Sequence, residues 1–389
     1  MLDFTYFTPT KIYFGKDKHK EIGKIIRQFG YTKIMMQYGK NSIKKSGLYD
    51  EVINSLRKEN ITVIECGGVE PNPKLSFVRD AVKIAKKENV EMILAVGGGS
   101  VLDSSKSTAL GATSENDVWD IQMGEVSATS ALPVGCILTH SAAGSEMSAS
   151  TVITNSETNT KKGLTTNLVR CKFSILNPEL TYSVSKYQTA CGIVDMLAHT
   201  MERYFTTAEP VELTDRIAEG IMKTIISNGK IVMDNPTDYE ARANLMWASS
   251  LSHNGLTGCG REAGFTVHPI EHAISGIYDQ VAHGAGLAVL YPAWAKFIYK
   301  YAPQRFARFA RIVWDIKDDN DMSASVKGIN AMEDYFAQIG MPVKLSELDV
   351  NKESIETLAS HCTLKDTIKI GSYIPLGKKE IAEILELCY

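Results

Sequence analysis

Two stretches of the C-terminal half gather the residues best suited to chemistry. The first reads Gly192-Ile193-Val194-Asp195-Met196-Leu197-Ala198-His199-Thr200-Met201-Glu202, the second His268-Pro269-Ile270-Glu271-His272, followed by His283-Gly284-Ala285-Gly286. On a helix, Asp195 and His199 are four positions apart and share a face, and His268 and His272 repeat the spacing. One carboxylate with three imidazoles makes a compact site for a divalent ion of borderline softness, such as Fe(II), Zn(II) or Co(II). A histidine on an apolar helix face is more often a packed core residue than a ligand. Here, however, four of only 8 histidines fall in these two stretches. Asp195 also lies among Met196, Leu197, Ala198 and Met201, where a carboxylate is costly unless paired or metal-bound.

The elements that must position these residues change character along the chain. The first half alternates short apolar runs, Lys33–Tyr38, Ile61–Ile64 and Met92–Val96, with helical patterns over Tyr49–Lys58 and Val78–Ala85. That alternation predicts a parallel sheet covered on both faces. Further strands are expected at Leu132–Leu138, Thr151–Thr154 and Phe173–Leu176. From about Lys186 the pattern is almost wholly helical, through Arg216–Ile226, Tyr239–His253, His268–Ile277 and Gln304–Val313. An α/β domain over 1–185 and a helical domain over 186–389 follow, with the boundary just past Asn177-Pro178. Small molecules favour clefts between such domains, so the site is expected there.

With 389 residues, 44% hydrophobic and 22% charged, the chain is globular and long enough for two cores. A net charge of −3 and the absence of a long basic run argue against nucleic-acid binding. No window has the roughly 18 apolar residues of a membrane span, and the N-terminus lacks a secretory pattern. Seven irregularly spaced cysteines do not make a disulfide framework, so the cytoplasm is the expected compartment.

Nucleotide-binding features sit in the first half. The strand at Met92 runs into Gly97-Gly98-Gly99-Ser100 and then a helix carrying Asp103 and Lys106. Such a turn lets a pyrophosphate approach N–H groups at a helix N-terminus. It is neither GxGxxG nor a P-loop, and any tight strand-to-helix connection can use glycine. At the end of the strand Lys33–Tyr38, the acidic residue typical of NAD sites is replaced by Gly39, followed by Lys40, Ser42, Lys44 and Lys45. A 2′-phosphate would meet donors and cations there and no carboxylate, which tilts the reading to NADP(H) over NAD(H); a plain solvated turn explains the segment equally well. The run Thr139-His140-Ser141-Ala142-Ala143-Gly144-Ser145-Glu146 could contact a nicotinamide or simply cap a helix.

Taken together, these motifs resemble the iron-containing alcohol dehydrogenase family, within it the butanol dehydrogenase branch, over essentially the whole length. The resemblance implies a Rossmann-like dinucleotide domain and a helical metal domain of the dehydroquinate synthase-like architecture. It implies Asp195, His199, His268 and His283 as metal ligands and iron in preference to zinc. His272 takes the place of the family's histidine beside the substrate and is the candidate proton relay. Gly97, Gly98, Ser100, Asp103, Thr139 and Thr181 fall at cofactor-contacting positions, with Gly99 in the same turn, and Lys162 matches a basic residue near the nucleotide. The implied activity is interconversion of short-chain alcohols such as butanol with aldehydes, using NADPH or NADH, in a homodimer. Phe265 stands where the branch carries tryptophan, and Ser141 and Ala142 also depart from it. The rivals are a glycerol dehydrogenase-like polyol oxidoreductase and a metal-dependent sugar-phosphate cyclase of the dehydroquinate synthase type. The latter should gather basic residues around its substrate, and only Arg261 lies near the second stretch.

Overall fold

The computed structural model describes residues 1–262 and 264–389. Its backbone divides into two compact units: Phe7–Val184, and Ser185–Tyr389 joined by Met1–Tyr6.

Eight strands lie in the first unit: β1 (Lys11–Phe14), β2 (Lys33–Tyr38), β3 (Thr62–Gly67), β4 (Met92–Gly97), β5 (Val134–Leu138), β6 (Ser150–Asn155), β7 (Thr160–Thr165) and β8 (Phe173–Leu176). Six form one sheet in the order β1-β8-β5-β4-β2-β3, with every neighbouring pair parallel. The central strands are buried on both faces, which is why β4 and β5 read as continuous apolar runs without alternation. β6 and β7 make a separate antiparallel hairpin. The sequence pattern foreshadows neither β1 nor β7. β1 is a four-residue edge strand, and β7, Thr-Lys-Lys-Gly-Leu-Thr, lacks an apolar stripe.

Chain order reverses at the centre of this sheet. β3 pairs with one edge of β2 and β4 with the other, so the β2/β4 seam is the topological switch point where open α/β sheets bind ligands. Registers Tyr38↔Val96, Gly97↔Leu138 and Leu138↔Leu176 carry the row across the sheet. They align the segments beginning at Gly39, Gly97, Thr139 and Asn177 along one carboxyl edge, about 4.8 Å apart strand to strand.

Helices build the second unit, chiefly Lys186–Tyr204, Glu212–Asp234, Tyr239–His253, Val267–Ile277, His283–Ile298, Pro303–Val313 and Asp321–Gln338. Ser185 caps the first by accepting from the Gln188 N–H at 3.2 Å, and Asp238 caps the third through Ala241 at 2.9 Å. The helix His283–Ile298 is apolar nearly all round and buried along its length, as a central helix must be. Phe205, stacked on Phe306 with centroids 4.4 Å apart, packs edge-on against Trp294 of this helix. Among the described residues, no helix is long and apolar enough to cross a membrane.

Candidate active site

Asp195 and His199 lie on the buried helix Lys186–Tyr204, His268 opens Val267–Ile277, and His283 is the first residue of His283–Ile298. Glycine brings the helices close enough for these side chains to meet. A Cβ on Gly284 would lie 2.2 Å from the Cys191 carbonyl oxygen, so only glycine allows His283 to begin its helix against the Asp195 helix. Two residues on, a Cβ on Gly286 would stand 2.9 Å from Glu271 Cγ. Its absence makes room for Glu271, whose carboxylate takes the Nδ1 of His283.

Each of the three histidines is oriented through Nδ1. That of His199 is 2.9 Å from the Asp195 carbonyl oxygen, an obligate acceptor, and that of His268 is 3.0 Å from Glu202 Oε1. His283 Nδ1 faces Glu271 Oε2. With the proton on Nδ1, each ring keeps its Nε2 lone pair for a ligand, the arrangement by which carboxylates and carbonyls orient metal-bound imidazoles. Asp195 Oδ1 and His268 Nε2 are buried without a hydrogen-bond partner, although His199 Nδ1 also comes within 2.9 Å of that oxygen while bonding the backbone carbonyl. The two buried atoms lie 3.7 Å apart, and His283 Nε2 is 3.8 Å from Asp195 Oδ1. Ligand bonds of 2.0–2.2 Å at tetrahedral angles put donors about 3.4 Å apart, close to these separations. One donor atom from each of Asp195, His199 and His268 lies within 4.8 Å of the others. The donor set, its spacing and its orphaned buried atoms fit a divalent cation.

The electrostatics agree. Burial would raise the Asp195 carboxyl, but His199, then His268 and His283, hold it well below the usual carboxylate range. Burial pulls His199 down to about 4, against the Asp195 charge. For His268 burial also acts downward, yet Asp195 and Glu202 on either side push it up to about 9. A dense negative pocket of this kind is what a cation completes.

His283 and His272 mark the more open side. The His283 side chain is 24% exposed against 4% for His268. His272 groups with Glu271 and His283 within 4.8 Å, its ring 5.5 Å from that of His283. An aromatic wall closes the other side. Phe265 lies 5.0 Å from the His268 ring and 5.8 Å from His199, with Arg203 over its face at 4.8 Å. His253 packs its ring 4.2 Å from His199 and accepts from Arg203 Nη2 at 2.8 Å.

In the first unit, Gly98 precedes the helix Gly99–Ala112, whose first N–H groups have no carbonyl one turn back. A Cβ on Gly97 would fall 2.5 Å from Val101 Cγ2, and one on Gly98 would stand 3.1 Å from His140 Cβ. The tight turn thus needs its glycines, and the Thr139 N–H ties the next strand's loop to it by donating to Gly97 O at 3.0 Å. Ser100 is half-buried in the same helix's first turn. The Asp103 carboxylate accepts from Ser145 Oγ at 2.8 Å, and burial pushes it up to about 6 against the Lys106 charge. Lys106 is fully buried, its Nζ donating to the Ser145, Ser148 and Ser150 carbonyls at 2.6, 3.1 and 2.9 Å. It holds the loop after Thr139 against the phosphate-turn helix.

Thr181 is buried and its hydroxyl donates to Pro178 O at 2.7 Å, whereas Lys162 is half-buried on β7. Gly39 follows β2 beside the turn, with Ser42 opening a four-residue helix. Here one expectation is corrected. The β2 end was read as holding cations and no carboxylate, but Lys40 Nζ is 2.6 Å from Glu70 Oε1. Glu70 follows β3, thirty residues on, and only strand pairing brings it there. Lys44 in turn lies over the rings of Tyr38 and Tyr49 at 5.3 and 5.0 Å.

The orienting roles of Glu202 and Glu271, and the packing of His253 on His199, do not show in the motif spacing. Glu202 sits seven positions after Asp195 and three after His199, and Glu271 three after His268. A carboxylate on the ligand face of an apolar helix is a signal that could have found both.

Comparisons with known proteins converge on one group. The model of the iron-containing alcohol dehydrogenase domain matches residues 9–178, and that of the C-terminal domain of the same family matches 189–389. The chain is 41% identical to NADH-dependent butanol dehydrogenase A of Clostridium acetobutylicum, covering 100% of each. It is 36% identical to the NADPH-dependent aldehyde reductase YqhD of Escherichia coli, over 92% of each. A crystal structure of NADH-dependent butanol dehydrogenase A from Thermotoga maritima superposes with a TM-score of 0.97 at 39% identity, over 100% of this chain and 99% of that one.

Proposed function

The chain belongs to the iron-containing alcohol dehydrogenase family, and on that premise we propose that it interconverts short-chain primary alcohols such as butanol with their aldehydes. Asp195, His199, His268 and His283 are the proposed ligands of one divalent ion, iron(II) by family, the donor set alone suiting zinc equally well. Gly39, Ser42, Gly97–Ser100, Asp103, Thr139, Lys162 and Thr181 are the proposed dinucleotide segment, for either NADP(H) or NAD(H). The relatives reported above carry alcohol dehydrogenase and aldehyde reductase names, which favours this reading over a polyol-specific enzyme or a sugar-phosphate cyclase.

The observation that carries the reading is the common orientation of the three imidazoles, each held at Nδ1 with Nε2 left for a ligand. When bound, the metal supplies Lewis-acid polarisation of the substrate oxygen, and the nicotinamide supplies or receives hydride. The chain's own contribution is geometric and protonic. Glu202 and Glu271 fix the tautomers of His268 and His283, and Phe265 excludes water from one side. His272, on the open side with its ring 5.5 Å from that of His283, is the proposed relay for the proton that the substrate oxygen gains or loses.

A homodimer in the cytoplasm is part of the same proposal. In its support, Met1, Leu2, Phe4 and Phe7 are 59%, 46%, 53% and 51% exposed, a run of large apolar side chains that a second copy could cover. All seven cysteines are free thiols, in keeping with a reducing compartment.

Protein purified anaerobically and loaded with Fe(II) should oxidise NADPH and NADH when butanal is added, with about one metal per chain. Asp195→Ala should lose both metal and turnover, whereas His272→Asn should keep the metal and lose about 10²- to 10⁴-fold in kcat. Turnover surviving intact in Asp195→Ala would remove the metal from the reading. Full activity in iron-free, zinc-loaded protein would remove iron.

A further inference from the structure

The dinucleotide assignment leaves open how the chain tells NADPH from NADH. The two differ by one phosphate on the adenosine ribose. In open α/β sheets that ribose is met at the end of the strand next to the phosphate turn, where a carboxylate selects NAD(H) by binding the hydroxyls. β2 is that strand, since Tyr38 pairs with Val96 just before Gly97, and it is followed by Gly39, with no side chain to choose either way.

Two oppositely charged residues reach this point from different strands. Lys40 follows Gly39. Glu70 comes from the loop after β3, and that loop is pinned: the Gly68 N–H is 3.0 Å from Tyr38 O and 3.2 Å from Gly39 O, and the Val69 N–H donates to Tyr38 O at 3.2 Å. The Val69 carbonyl would lie 3.7 Å from a Cβ on Gly39. Glu70 is therefore stationed beside Gly39 by backbone hydrogen bonds, and its carboxylate meets Lys40 Nζ at 2.6 Å. Both side chains are largely in solvent, 65% and 48% exposed, so the pair is weak and breaks at little cost. A second cation of this strand end, Lys44, is drawn over Tyr38 and Tyr49, whose hydroxyls both donate to Glu65.

We propose that the Lys40–Glu70 pair sets the coenzyme preference, Lys40 favouring the 2′-phosphate and Glu70 opposing it. This rests on the reading that a nicotinamide dinucleotide binds along this carboxyl edge. With NADH the pair stays closed, or Glu70 turns to the ribose hydroxyls as the missing strand-end acid would. A 2′-phosphate recruits Lys40 only by parting it from Glu70, and it must then sit beside the carboxylate that Lys40 has left. The chain consequently accepts both coenzymes, and Glu70 withdraws much of the NADPH affinity that Gly39 and Lys40 would otherwise confer.

The test is equilibrium binding, by calorimetry, of NADPH and NADH to wild-type protein, Glu70→Gln and Lys40→Gln, independent of turnover. Glu70→Gln keeps the shape and deletes the charge. It should tighten NADPH about three- to tenfold at low salt while leaving NADH unchanged or weaker. Lys40→Gln should weaken NADPH by a similar factor and spare NADH. Equal changes for both coenzymes, or none, in both variants would overturn the selector while leaving the family function standing. Failure of wild-type protein to bind either coenzyme would overturn the dinucleotide reading, and the selector with it.

Discussion

Glu202 Oε1 receives both the Nδ1–H of His268 at 3.0 Å and that residue's own backbone N–H at 2.9 Å. The same carboxylate accepts from the Val267 N–H at 2.8 Å and, through Oε2, from Thr266 at 2.8 Å. One side chain on the helix Lys186–Tyr204 thus caps the helix Val267–Ile277 and orients its first ligand.

Two substitutions separate those roles. Glu202→Gln still offers an acceptor oxygen to the backbone but loses the charge that supports His268, so metal affinity should fall about 10- to 100-fold with little change in Tm. Glu202→Ala strands several buried N–H groups, each worth about 1–3 kcal/mol, and should lower Tm as well. Metal titration and calorimetry on both variants check this, and equal metal affinity in Glu202→Gln and wild type would refute the orienting role.

Metal uptake should be linked to pH through His268. In the metal-free protein His268 is raised to about 9 and carries a proton at pH 7, whereas His199, lowered to about 4, is already neutral. A metal must displace the His268 proton, so affinity should rise about tenfold per pH unit from pH 7 toward 9 and then level off. Calorimetry in buffers of different ionisation enthalpy should report about one proton released at pH 7. Because its pKa is raised on folding from 6.5, His268 stabilises the metal-free fold fully below pH 6.5. That contribution is lost as pH climbs through 9, so the Tm of metal-free protein should decline over this window and that of loaded protein should not.

What the sequence made legible follows from how local each feature is. Asp195 with His199 is a four-residue spacing on one helix, and the glycine turn after β4 is contiguous, so both could be read without coordinates. β8 and the helix Tyr239–His253 appear with the predicted limits because each contributes its apolar residues to the core of its own unit. β7 was illegible because its side chains are polar and partly exposed, its pairing being supplied by β6. Glu70 beside Lys40 depends on a parallel register between strands thirty residues apart, which no local pattern encodes. The orienting carboxylates were in view as residues, yet their work depends on which Nδ1 they face.

Lys106 offers a test confined to the first unit. Its ammonium is fully buried, burial pulls its pKa down, and it donates to three carbonyl oxygens. Lys106→Met fills the space but deletes the ammonium's hydrogen bonds, and each buried acceptor left unsatisfied costs about 1–3 kcal/mol. The loop from Thr139 to Ser150 should loosen, with faster amide exchange and weaker dinucleotide binding, while metal affinity in the second unit stays as in wild type. An unchanged exchange profile for this loop would show that Lys106 does not hold it.

Glycine at 284 is required by a close approach, not by an unusual backbone. A methyl group there would meet Cys191 O at 2.2 Å and Cys191 Cα at 2.6 Å, both backbone atoms that no rotamer change can move. Gly284→Ala must push the helix His283–Ile298 away from the helix of Asp195, at about 1–3 kcal/mol or more. His283 Nε2, now 3.8 Å from Asp195 Oδ1, would be carried off with it, so metal affinity and Tm should fall together. Gly220 is the matched control, an exposed helical glycine with nothing within 4 Å of an added Cβ. Gly220→Ala should raise stability by about 0.5–1 kcal/mol through helix propensity alone and leave metal affinity untouched. If Gly284→Ala bound metal as tightly as wild type, the close helix contact would not be what assembles the site.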